Sequence, residues 1–239
     1  PMYISLAMLE VSKKSSISRG MDNLKKRFPP GARYVDYGIK KAKIDLLRDI
    51  FLHDEYASCP EFREFCRTNV HWLDDFALYK VLKEYHRGLP WYEWEEKYRQ
   101  RDRQALEAIR RDNEEEIGFQ QWMQWRLYEQ FREVRSYAQK NKILLKGDMP
   151  ILVSRDSADV WQRQRFFKLE FASGAPADMY CSKGQRWGMP TYNWENIAAD
   201  DYRYIKEKLS YAQNFYDIMR VDHVVGLFRI WSIPYNEPV

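Results

Sequence analysis

Apolar residues recur at helical spacing through the first 140 positions, then give way to short strand-like runs. Over 36–56, Ile39, Ile44, Leu47, Ile50 and Phe51 mark one face of a helix. Pro60 to Arg67 predicts a short helix. Trp72, Phe76, Leu78, Leu82 and Tyr85 predict a second, amphipathic one, which Gly88, Leu89 and Pro90 end. Charges of both signs crowd 92–116, a pattern that predicts a solvated helix laced by i to i+4 ion pairs. Over 117–139, Phe119, Trp122, Trp125, Leu127, Phe131 and Val134 predict a long helix with an aromatic core stripe. Residues 1–31 mix a brief apolar run with Ser and Lys. They predict surface chain with one strand-like piece, ended by Pro29-Pro30-Gly31.

Past Lys142 the pattern changes. Ile143, Leu144 and Leu145 lead to Gly147 and Asp148, and Ile218, Met219 and Val221 bracket Arg220 and lead to Asp222 and His223. Short apolar runs of this kind predict strands over 143–147 and 218–222, each buried on both faces. Between them lie a short helix near Ser157 to Arg165, a Gly-, Pro- and aromatic-rich stretch at 172–193, and a helix from Ala198 to Phe215. The long non-periodic stretch reads as a functional loop. Strand, loop, helix and strand make one βα unit of a parallel sheet. A carboxylate at the carboxyl end of a buried strand is costly unless it is paired or functional. In parallel α/β barrels that end is where chemistry sits.

Composition narrows the classes. The 239 residues suffice for one large domain or two small ones, and a 16% aromatic share lets a core form without disulfides. Net charge is only +4 with both signs interleaved, so nucleic acid is not an expected partner. Cys59, Cys66 and Cys181 are sparse and odd in number, which fits a reducing, cytoplasmic setting. No apolar stretch approaches a membrane span. His53, His71 and His86 share no metal-ligand spacing with the cysteines, and 184–188 lacks the context of a phosphate loop. By residue chemistry alone, Asp222 is equally a structural ion-pair partner of Arg220 or a working carboxylate. Asp156 or Ser157 reads as the N-cap of the following helix.

An ordered series of motifs carries a family resemblance. It includes Val35-Asp36-Tyr37-Gly38, Trp72-Leu73-Asp74-Asp75-Phe76-Ala77-Leu78, Gly88-Leu89-Pro90-Trp91 and Gly147-Asp148-Met149-Pro150-Ile151. It continues through Asp156-Ser157-Ala158-Asp159-Val160-Trp161, Gly184-Gln185-Arg186-Trp187-Gly188, Tyr192-Asn193-Trp194 and Arg220-Val221-Asp222-His223. In these the chain resembles the 4-α-glucanotransferases of glycoside hydrolase family 77. The resemblance implies an α/β fold, part of a (β/α)8 barrel. Strands near 143–147 and 218–222 would be its third and fourth. It divides the chain into a connecting segment at 1–35, an inserted helical subdomain at 36–139 and a partial catalytic barrel at 140–239. It also implies that two earlier strands precede Pro1 and four later ones follow Val239.

The same resemblance implies transfer of α-1,4-glucan segments between maltooligosaccharides with retained configuration, without metal or organic cofactor. Retention takes a nucleophilic carboxylate and a carboxylic acid about 5–5.5 Å apart. Asp222 matches the nucleophile. Arg220 lies on the same side of its strand, where its charge orients the carboxylate and favours the ionised form. Asp148 matches the supporting shell, and His223 stands where it reaches a sugar hydroxyl. In the 172–193 loop, Asp178, Tyr180, Gln185 and Trp187 are suited to sugar hydroxyls and ring faces; Trp187 is equally suited to anchoring the loop itself. Pro176-Ala177-Asp178-Met179-Tyr180 and Met189 depart from the family's usual Pro-Pro-Asp-Tyr-Phe and Asn, which leaves acceptor preference open. The family's acid/base Glu and transition-state Asp fall outside this chain, so the segment alone is expected to be inactive. The alternative is a non-catalytic carbohydrate-binding or regulatory protein that kept half of the fold. Two strands with open edges imply self-association of the fragment, or cover from its own helices.

Overall fold

The computed structural model describes residues 2–9, 15–31 and 33–237. They form two compact units, one of residues 1–77 with 113–134 and one of 78–112 with 135–239.

The first unit is helical. It holds α1 (Ser15–Arg27), α2 (Gly38–Phe51), most of α3 (Pro60–Tyr85) and most of a 27-residue helix, Glu114–Lys140, here α6. Its core joins Leu47, Ile50 and Phe51 of α2 to Phe62, Phe65 and Leu73 of α3 and to Phe119, Trp122 and Trp125 of α6. The first half of the aromatic stripe expected of 117–139 is therefore core, with Leu127 packed against it, whereas Val134 is exposed; Leu47, Ile50 and Phe51 of the expected α2 face are core. The opening segment is not surface chain. Ile4, Leu9 and Ile17 are buried in this core, Leu6–Met8 form a 3-10 turn, and α1 replaces the expected coil. Glu10 and Val11 of the apolar run lie outside the described residues. The two helices expected at 60–67 and 72–85 are one. No breaker separates them, and Asn69 serves the helix itself, donating to Phe65 O at 2.8 Å and accepting from Trp72 Nε1 at 3.0 Å.

The second unit begins with the charged stretch, which is neither continuous nor fully solvated. A 3-10 turn at Trp91–Glu93 precedes α4 (Glu96–Arg99) and α5 (Arg103–Asp112). The chain breaks between the two helices at Arg101, whose φ is 60°. Asp102 then starts α5 by accepting from Ala105 N at 2.8 Å. Trp91, Trp94, Tyr98, Leu106 and Ile109 are buried. The surface pair Arg103–Glu107, at 2.7 Å, matches the expected i to i+4 lacing. The carboxyl end of α6 closes in a Schellman-type turn. Lys142 takes a left-handed φ of 58°, Ile143 N donates to Ala138 O and Lys142 N to Gln139 O. This turn consumes Ile143 and Leu144, so the strand starts later than its apolar run. β1 is Lys146–Met149, and Ile143 and Leu144 are exposed.

After β1 come α7 (Ala158–Gln162), β2 (Phe167–Lys168), β3 (Phe171–Ala175), β4 (Gln185–Arg186), β5 (Thr191–Tyr192), α8 (Trp194–Ala199), α9 (Arg203–Ala212), β6 (Ile218–Val221) and β7 (Trp231–Pro234). β1 and β6 pair in parallel, as expected. Both are partly exposed rather than buried on two faces, since each has a single strand partner among the described residues. The 172–193 stretch is not a plain loop. β3 lies between β4 and β7 in an antiparallel sheet, and β2 pairs with β5. Its principal partner, β7, lies some 60 residues downstream, beyond the reach of local pattern. A Cβ on Gly174 would meet Gln185 O at 2.1 Å, so only glycine lets β3 and β4 approach this closely. The helix expected over 198–215 is split into α8 and α9 by left-handed Asp201 and Tyr202.

Candidate active site

β1 and β6 carry the site. Their register sets Lys146 opposite Ile218 and Asp148 opposite Arg220. From that position the Arg220 guanidinium forks. Nη1 donates to Asp148 Oδ2 at 2.5 Å and Nη2 to Asp222 Oδ1 at 2.5 Å. The ladder continues one step to Asp222, whose N–H donates to Met149 O at 3.0 Å. All three side chains are about half exposed, at 51% for Arg220, 55% for Asp148 and 51% for Asp222. Exposed ion pairs contribute little stability, so at this exposure the fork fixes the mutual placement of the two carboxylates more than it stabilises the fold.

His223 follows with a left-handed φ of 48°, which turns the chain sharply after Asp222. Its ring meets Trp187 edge-to-face, centroids 5.3 Å apart and planes at 90°. Gly226 lies against His223: a Cβ there would stand 2.9 Å from the imidazole and 3.1 Å from Ile151. Trp187 is held in turn by its N–H on Ser173 O at 2.9 Å and by Nε1 on Gln185 Oε1 at 3.0 Å. Ser173, fully buried in β3, anchors the same turn through Oγ on Met189 O.

The sequence-derived candidates therefore fall into three groups. Asp148, Arg220 and Asp222 form one hydrogen-bonded network, and His223, Trp187 and Gln185 form a second chain of contacts. Asp178 and Tyr180 share a turn of their own: Asp178 Oδ1 accepts from Tyr180 N at 2.8 Å and Cys181 N at 2.6 Å, and Tyr180 is 89% exposed.

Two supports were not foreseen. Asp156 is a hub rather than a cap. It accepts from Tyr79 OH at 2.6 Å, Lys83 Nζ at 2.7 Å and Trp91 N at 3.2 Å, while Ser157 Oγ caps α7 through Val160 N. Burial works against the Asp156 charge, but Lys83, Tyr79 and Trp91 N–H together hold the carboxyl below its usual range. Asp217, just ahead of β6, accepts from Leu145 N at 2.9 Å and Arg135 Nη2 at 3.1 Å. Nothing local marks either residue, because their partners lie more than 60 positions away in sequence. Among the described residues no cluster of His, Cys, Asp and Glu could hold a metal, and no helix is long and apolar enough to cross a membrane.

A parallel strand pair joined through helices, with carboxylates at its carboxyl ends and a tryptophan-bearing segment beside it, defines an α/β protein. Comparison with known proteins agrees and goes further. The family model for 4-α-glucanotransferases, glycoside hydrolase family 77, matches residues 1–239, and the chain belongs to that family. It is 35% identical to a 4-α-glucanotransferase of Chlamydia caviae over 97% of its own length, and 34% identical to one of Thermus thermophilus over 88%. It spans 44% of the length of each of these relatives. An amylomaltase from Streptococcus agalactiae, solved in complex with acarbose, superposes with a TM-score of 0.80 at 25% identity. That match covers 98% of this chain and 49% of the amylomaltase.

Proposed function

We propose that this chain is the nucleophile-bearing portion of a cytoplasmic 4-α-glucanotransferase that acts on α-1,4-glucans and maltooligosaccharides. β1 and β6 correspond to the third and fourth strands of a (β/α)8 barrel. Residues 1–35 lead into an inserted helical subdomain at 36–139, and 140–239 contribute to the catalytic barrel. The observation that carries this is the Arg220 fork, which holds Asp148 and Asp222 together at the carboxyl ends of two parallel strands. Three free cysteines suit a reducing compartment.

In the reaction, an Asp222 oxygen attacks the anomeric carbon of the donor glucan, and the glycosidic C–O bond breaks. The departing 4-oxygen takes a proton from the acid/base Glu that the family places outside this segment. A glycosyl ester on Asp222 results. The 4-hydroxyl of an acceptor glucan then attacks that same carbon, giving its proton to the Glu and freeing Asp222, so two inversions restore the α configuration. Arg220 keeps the attacking oxygen aimed, and Asp148 fixes Arg220 from the neighbouring strand. His223 and Gln185 offer hydrogen bonds to sugar hydroxyls. Trp187 offers a ring face, and Asp178 and Tyr180 line the outer part of the same loop.

Incubation with maltotriose tests the assignment. The full-length enzyme carrying this segment forms longer oligosaccharides, its Asp222→Asn variant does not, and the isolated 239-residue chain does not. Undiminished turnover by Asp222→Asn, or robust disproportionation by the isolated chain, would refute it.

A further inference from the structure

A four-residue parallel pairing is weak by itself, and its hydrogen-bond ladder looks alike after a slip along the strands. A slip of one residue would carry Arg220 about 3.3 Å along β6, out of bonding range of Asp148, and would turn side chains to the opposite face. A contact outside the ladder selects among such registers, and the chain supplies one at the entry to both strands. Asp217 N donates to Leu145 O at 2.9 Å, and Asp217 Oδ2 accepts from Leu145 N at 2.9 Å. In a regular parallel ladder the N–H and C=O of one residue serve different partners. Here Asp217 closes on both, while Ile218 N also donates to Leu145 O at 3.1 Å, so the Asp217 carboxylate supplies the one partner of Leu145 N–H that lies outside the ladder.

The clamp is itself held from two further elements. Asp217 Oδ1 accepts from Arg135 Nη2 at 3.1 Å and from Gln139 Nε2 at 3.4 Å, both on the last turns of α6. Arg135 Nη1 also donates to Gln213 O, just past α9, at 2.5 Å. The hydrogen bond from Leu145 N–H, aided by Arg135 and Gln139, holds the Asp217 carboxyl below its usual range against a burial effect of opposite sign. Tyr216 reinforces the register from beside Asp217. Its ring lies so close over Gly147 that a Cβ there would stand 2.4 Å away. Three residues onward, about 10 Å along the strands, stand Asp148 and Arg220.

We propose that Asp217 is a positioning residue for glucan transfer, a role that presupposes the function proposed above. Its carboxylate sets the register of β1 against β6 and thereby the place of Asp222. It touches no substrate and acts through the strand pair, so its loss misplaces the nucleophile while leaving the sugar-contacting loop intact. Misplacement by about 1 Å costs on the order of 10²-fold in rate.

The test uses the full-length enzyme with Asp217→Ala and Asp217→Asn. Transfer from maltotriose is expected to lose about 10²-fold in kcat for Asp217→Ala with KM changed less than about 3-fold. Asp217→Asn, which keeps an acceptor for Leu145 N–H, recovers part of the loss. Register is read separately, from the rate of disulfide formation between cysteines placed at facing positions 146 and 218. That rate is expected to fall at least tenfold when Asp217→Ala is added. An unchanged cross-linking rate overturns the register lock. Slower cross-linking with kcat unchanged per folded enzyme overturns the positioning role. A wild-type enzyme without transfer activity overturns the proposed function and the positioning role with it, and the cross-linking rate still reports on the lock.

Discussion

Asp156→Ala isolates the hub that ties α3 to the segment after β1. The carboxylate accepts a tyrosine hydroxyl at 2.6 Å, a lysine ammonium at 2.7 Å and a backbone N–H at 3.2 Å. Tyr79 is 6% exposed and the Lys83 side chain 19%, so both donors lose their partner in a largely dry site. Hydrogen bonds involving a charged group contribute about 1.5–3 kcal/mol each. Because the three share one acceptor and Lys83 keeps Gly88 O and Leu89 O, the losses do not add fully. We expect Asp156→Ala to cost about 3 kcal/mol at pH 7. The folded-state carboxyl titrates below its usual value. Its contribution is thus fully present above the unfolded pKa of about 4 and fades as pH falls through the lower folded value. The gap between wild type and variant should accordingly be constant from pH 7 to 5 and narrow below about pH 4. Urea titrations followed by tryptophan fluorescence measure it, because Trp91, Trp94 and Trp161 surround the hub. A loss below about 0.5 kcal/mol at pH 7, the size of an ordinary surface substitution, or a gap unchanged on acidification, would refute the reasoning.

Three further outcomes follow from other parts of the molecule. Gly147→Ala drives a methyl into the Tyr216 ring and should cost about 1–3 kcal/mol by overpacking, measurable as a lower denaturation midpoint. Adding Tyr216→Ala should relieve part of that cost. Asp54→Ala strips the acceptor from fully buried Trp122 Nε1 and from Arg126 Nη2; a loss of about 3 kcal/mol is expected, read from the helical circular-dichroism transition. Trp187→Ala in the full-length enzyme removes both a ring face and the edge contact to His223. We expect KM for maltotriose to rise by about tenfold, the equivalent of some 1.4 kcal/mol, with a smaller change in kcat.

Periodicity made the helices legible where packing follows sequence order. The stripe Phe119, Trp122 and Trp125 and the face Leu47, Ile50 and Phe51 are apolar because they face one core, and their spacing says so. Existence survived better than boundaries. The expected strand at 143–147 slid onto Lys146–Met149 because the α6 cap used up its apolar residues, and Asn69 carried one helix through what looked like a gap. The motifs also placed Asp148, Arg220 and Asp222 together, since residues two apart on a strand share a side and the family pattern links the two strands.

Long-range partners were another matter. Composition and spacing determined that this chain builds aromatic helices, two short strands ending in carboxylates, and an ordered set of motifs shared with its family. Only the folded chain decided that β3 pairs with β7, that Asp156 binds Tyr79 and Lys83, and that Asp217 clasps Leu145. Local pattern records what a residue prefers within a few neighbours. A hydrogen bond across seventy residues depends on loop closure and on the packing of everything between, which no short window contains.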